Sequence, residues 1–158
     1  MDKLATTSSI NAPAPHGDGS WYHDLVQPSW LLTPLKSDKW CLEERVAGYS
    51  KSAYVVNWWR DGADVDFLGR RRYWVEKAKQ VAYWYMESDA TDCNRTTTLA
   101  LICRELLSFF LWLAFERNVA SLESVNESDI KVYERHLSER NIGRSTVTVR
   151  RTHLSIRF

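Results

Sequence analysis

The sequence predicts a mainly α protein: a small helical bundle behind an irregular, aromatic-rich N-terminal arm with room for a short β-hairpin. Three observations predict it. Apolar residues recur at helical spacing in four successive segments, 70–87, 95–115, 130–137 and 145–158. The breaks between these segments are short and polar, and they carry residues that cap helices. Upstream of residue 70, tryptophans and tyrosines are scattered among turn formers, with no sustained period of either kind.

In chain order, residues 1–20 are small, polar and rich in Ala, Pro and Gly. They have little to bury, which predicts a disordered tail. The arm, 21–69, holds Trp21, Trp30, Trp40, Trp58 and Trp59 among turn signals such as Gln27-Pro28, Thr33-Pro34 and Asp61-Gly62. β-Branched and aromatic residues cluster at Lys39–Leu42 and Ala53–Trp59, which predicts extended pieces there, with Asp61-Gly62 as a turn. The tryptophans either pack the arm onto the helices or present it to DNA or to a protein partner.

Residues 70–94 read as a basic helix and a linker. Val75, Ala78, Ala82 and Tyr85 make one apolar face. Arg70, Arg71, Arg72, Lys77 and Lys79 form a basic collar with Tyr73 and Trp74 interleaved. Basic residues with aromatics suit phosphate contact, and Arg70, Arg71, Arg72 and Lys77 are the candidates; the competing reading is a solvated charged face. Ser88–Asn94 is the polar break.

Residues 95–158 form the helical core domain. Leu99, Ile102, Leu106, Phe110 and Leu113 make a stripe broadened by Cys103, Leu107, Leu111 and Ala114. An arc this wide belongs to a central helix with several neighbours. Asn126 and Asp129 have capping-box spacing ahead of Ile130, Tyr133 and Leu137, and Asn141-Ile142-Gly143 ends that helix. Ser145 or Thr146 caps a last helix, with Val149, His153 and Ile156 on one side.

At 158 residues the chain has room for one domain, or one with an appended arm. The net charge of +1 hides alternating blocks: −3 over 1–69, +4 over 70–80, −4 over 81–143 and +4 over 144–158. The last block, with Arg144, Arg150, Arg151 and Arg157, contains no acid. It marks a local basic face on a neutral body. Three cysteines without a CxxC pair argue for free thiols, so a cytoplasmic setting is expected. The apolar run between Arg104 and Glu116 is short for a bilayer crossing, and no secretory leader pattern opens the chain, so no membrane partner is expected.

Catalytic and cofactor motifs are missing. The four histidines form no HExxH and no zinc-ligand spacing with cysteine, and there is no GxGxxG, P-loop lysine or GxSxG. No metal, no cofactor and no enzymatic activity of this chain by itself are expected.

Three local patterns, in order, resemble the N-terminal core-binding (SAM-like) domain of the tyrosine recombinases, the phage-integrase family. They are Phe109-Phe110-Leu111-Trp112-Leu113 followed by Arg117-Asn118; Val125 to Leu137 with Asp129, Ile130 and Tyr133 in place; and Ser145 to Arg151 followed by Ile156-Arg157-Phe158. The likeness covers residues 95–158, about two-fifths of the chain. It implies that double-stranded DNA is the partner, with other recombinase protomers beside it, and that the first and last helices of the domain reach the duplex. The candidate DNA contacts are Arg144, Thr148, Arg150, Arg151, Ser155 and Arg157, with Arg104 on the first helix. His153 stands where the family has an aliphatic residue. The family's catalytic set lies in a following domain that these 158 residues do not include, so the expectation is a truncated recombinase or a stand-alone binding module. A helical protein-binding module that uses the tryptophan-rich arm is the alternative.

Overall fold

Two long segments with helical period set the frame. In the computed structural model, which describes residues 19–45, 47–59, 69–88 and 96–140, Arg70–Glu87 forms helix α1 and Thr96–Phe115 forms helix α2. They run antiparallel. The Arg70 guanidinium at the start of α1 meets the Ala114 carbonyl at the end of α2, and Trp74 stands edge-on to Phe110 at 5.4 Å. Trp74, Val75, Ala78 and Ala82 of α1 are fully buried, and the two alanines keep that face narrow enough for close packing. Tyr85, expected on the same face, is only half-buried.

α2 is the central helix, as its wide apolar arc predicts. Leu99, Ile102, Phe109, Phe110 and Leu113 are wholly enclosed, while Leu101, Ser108 and Phe115 remain on an outer stripe. Among the described helices only α2 is long and apolar enough to cross a membrane by length and composition, at a mean hydropathy of 1.7. Arg104 and Glu105 interrupt it, and most of its surface is covered by the protein itself.

The helix ends where Asn118 adopts the left-handed conformation at φ 55°, a region that Asn tolerates better than most residues. The Val119 N–H then returns to the Leu113 carbonyl at 2.9 Å, which satisfies an end carbonyl of the helix. After a 3-10 turn at Leu122–Ser124, Glu127–Glu139 forms helix α3. Its start is a complete capping box. Asn126 Oδ1 accepts from the Ser128 and Asp129 N–H groups at 2.9 and 3.3 Å, and Asp129 Oδ2 accepts from the Asn126 N–H at 3.1 Å. α3 buries Tyr133 and Leu137, and Tyr133 packs against Phe109 and Trp112 at 4.9 and 5.0 Å.

The arm contributes a two-stranded antiparallel ribbon, β1 (Lys39–Cys41) and β2 (Val55–Asn57), with Trp40 opposite Val56. The two extended segments expected from sequence therefore pair with each other. Their connection runs through 42–54, with a 3-10 turn at Lys51–Tyr54; the expected turn at Asp61-Gly62 lies outside the described residues, as do 1–18 of the expected tail 1–20 and all but Ser88 of the expected break Ser88–Asn94. Trp30, Trp40, Val56 and Trp58 turn inward and join the same apolar cluster as α1, α2 and α3. Indole N–H groups tie the arm down: Trp21 donates to Glu76 at 2.9 Å, Trp30 to Glu87 at 3.0 Å and Trp40 to the Leu35 carbonyl at 3.1 Å. Trp58 and Trp74 bury theirs without a hydrogen-bond partner among the described residues, each edge-on to another ring.

Candidate nucleic-acid interface

Of the residues expected to contact DNA, Arg144, Thr148, Arg150, Arg151, Ser155 and Arg157 lie outside the described residues. Arg70, Arg71, Arg72, Lys77 and Arg104 are described, and the fold sorts them into two places.

The first is the start of α1. Gly69, in the left-handed region at φ 72°, occupies the N-cap without a side-chain cap, and the first turn holds no acid. Three arginines therefore stand at the positive end of the helix dipole, where acids are the stabilising choice. Arg70 clasps the end of α2, donating to the Ala114 carbonyl and to Asn118 Oδ1. Arg71 and Arg72 lie over the Trp59 ring at 5.7 and 5.1 Å. Trp59 is itself fixed, its indole donating to Asp38 Oδ1 at 2.7 Å and its backbone N–H to Asn57 Oδ1 at 3.1 Å. Lys77 sits over Tyr73 at 5.5 Å.

The basic collar is smaller than the sequence predicts. Lys79 is fully buried, with Nζ 3.1 Å from Glu76 Oε1, so it faces the core and not solvent. Tyr73 and Trp74 are buried too. The helical period itself carried the warning, since Lys79 follows Val75 by one turn and precedes Ala82 by three residues on the apolar side. What remains at the surface is a tighter spot centred on exposed Arg72, half-buried Arg71 and the Trp59 ring, with Asp38 and Glu76 as nearby acids. Burial, then Glu76, raises the Tyr22 phenol above 10.0, and the charge of Arg72 works against that rise.

The second place is a groove of about 520 Å³ between the outer stripe of α2 and the 50–57 stretch of the arm. Arg104 lies in it. Its Nη2 donates to the Ser52 and Val55 carbonyls, both at 2.9 Å, so the residue expected on a DNA-facing helix also fastens the arm. Ten residues of α2 separate Arg104 from Ala114, where α1 begins, which places the two basic spots about 15 Å apart along the helix. Ser50, Ser52 and Asn57 bring polar groups into the groove. Their approach to α2 depends on the pairing of β1 with β2, and no local pattern announces it.

The titratable groups offer no catalytic constellation among the described residues. No group of three metal-ligating side chains occurs there. Burial pushes the Cys103 thiol far up, so it stays protonated and inert. His136 lies against the rings of Trp112 and Tyr133 at 5.7 and 6.2 Å.

Comparison of the chain with protein-family models, with curated proteins and with solved structures found no match.

Proposed function

We propose that this chain binds duplex DNA as the core-binding part of a site-specific tyrosine recombinase and contributes no catalytic group of its own. The observation that carries the reading is the sequence of elements and charge at the C-terminal end. An apolar central helix and a short capped helix are followed by 144–158, a stretch with four arginines and no acid. Arginines without competing carboxylates neutralise phosphates and can read guanine edges, while Thr148 and Ser155 supply hydroxyls to the backbone. The first two of the motifs that resemble the family fall on α2 and α3. Arg71 and Arg72 at the start of α1 add a second basic spot for the same polyanion. Further protomers on the same duplex are the expected protein partners.

The test is a gel shift with duplex DNA at low salt, comparing the wild type with the Arg150→Ala/Arg151→Ala variant. Binding by the wild type and clear weakening in the variant support the reading. Unchanged mobility of the variant complex removes those two residues from the interface.

A protein-binding module remains the second reading, and it now draws on other residues. Trp30, Trp40 and Trp58 are in the core, but Val26, Leu32 and Tyr49 of the arm are exposed. Light scattering that shows a monomer, together with intact DNA binding, argues against it.

A further inference from the structure

We propose that the groove between α2 and the 50–57 stretch of the arm seats one phosphate of a nucleic-acid backbone, with Arg104 as its anchor. The inference rests on the DNA-binding reading and adds a role for the arm.

Among the described residues Arg104 is the only charged one that lines the groove, and none of them brings a carboxylate to it. The guanidinium is held in place before any ligand arrives, because Nη2 spends its donors on the Ser52 and Val55 carbonyls at 2.9 Å. Its Nε and Nη1 make no hydrogen bond among the described residues. A cation fixed in this way loses little freedom when an anion docks, which is what preorganisation means energetically.

The neighbouring polar groups are suited to the same ligand. Ser50 and Ser52 hydroxyls share one hydrogen bond at 2.8 Å, so one of the two keeps a donor to offer. Asn57 Oδ1 already accepts from the Trp59 N–H, which leaves its amide nitrogen for a phosphate oxygen. Val55 and Leu111 give the groove an apolar side against which a deoxyribose can lie. A phosphodiester has enough acceptor oxygens to engage the arginine, the hydroxyl and the amide together.

The arrangement also assigns a use to the arm. Arg104 by itself would be one mobile cation on the outer stripe of α2. The 50–57 stretch orients it and supplies the remaining donors, so the groove exists only when the arm is docked.

The experiment measures duplex affinity against salt concentration for the full chain and for Arg104→Ala, Ser108→Asp and Arg150→Ala/Arg151→Ala. Loss of one phosphate contact in Arg104→Ala lowers the log–log salt slope by about 0.9. Ser108 lies one turn beyond Arg104 in the same groove, and among the described residues its hydroxyl bonds the Arg104 carbonyl alone. A carboxylate at 108 stands one turn from Arg104, where it repels phosphate and competes for Nε and Nη1 while Nη2 keeps its two carbonyls, so affinity falls far more than the melting temperature. If Arg104→Ala loosens the arm and lowers the melting temperature, Ser108→Asp carries the test alone. Wild-type slope and affinity in Ser108→Asp, beside weakened binding in Arg150→Ala/Arg151→Ala, overturn the groove and leave the DNA-binding reading standing. Absence of duplex binding by the wild type overturns both.

Discussion

Tyr22, Tyr73 and Tyr83 hold their phenols above the ordinary value of 10.0, and burial is the first cause in each. In Tyr73 the Leu122 N–H donates to the phenol oxygen at 3.0 Å, which favours the phenolate and offsets part of the rise. A raised folded-state value means that the unfolded chain gives up its proton first as pH increases. The contribution of these tyrosines is therefore complete below pH 10.0 and drains away as pH passes through the raised values. Thermal melts across that range, followed alongside tyrosinate absorbance, should show the midpoint falling once the unfolded-state value is passed. A midpoint that holds constant well beyond it counts against burial as the cause. Lys79 is the residue that simple counting of charges misplaced. Its position between Val75 and Ala82 put it on the buried side, and its pairing with Glu76 makes that burial tolerable.

At the level of elements, α3 depends on its cap. The reciprocal Asn126–Asp129 bonds satisfy N–H groups that the helix cannot satisfy internally, so Asn126→Ala should cost about 1 kcal/mol in urea unfolding. No loss would mean that water replaces the cap without cost. This element was legible from sequence because a capping box and an apolar period are both local. α1 was equally legible, and its observed bounds, Arg70–Glu87, coincide with the expected segment. The ribbon was legible only by halves. Three-residue strands carry too little alternation to fix a register, and Trp40 meets Val56 because both must reach the core that α2 provides. The groove was illegible for the same reason. Arg104 could be picked out as a basic residue on a helix, but Ser50, Ser52 and Asn57 reach it through pairing between distant segments.

For the whole molecule, the arm belongs to the core. Its tryptophans share one apolar cluster with the three helices, and its edge is fastened by Thr96 donating to the Glu43 carbonyl at 2.6 Å and by Arg104. The Lys79–Glu76 pair joins these parts, since Glu76 also accepts the Trp21 indole N–H at 2.9 Å. Glu76→Gln strips the charge from the carboxylate and leaves Lys79 buried and uncompensated, a change that should destabilise by about 3 kcal/mol or more. Adding Lys79→Met should recover much of that loss in chemical denaturation. Equal stability of the single variant and the wild type would show that the pair is not enclosed as described. A body organised in this way is nearly neutral overall, and its acid-free arginines are gathered in 144–158. The proposed role of this charge is to hold a duplex, and fluorescence anisotropy of a labelled duplex titrated with the full chain over a series of salt concentrations decides it. Binding whose logarithm falls linearly and steeply with the logarithm of salt is expected, with a slope lowered by about 1.8 when Arg150 and Arg151 are replaced by alanine. A chain that leaves the duplex free at low salt, or binds it with no dependence on salt, rules that role out.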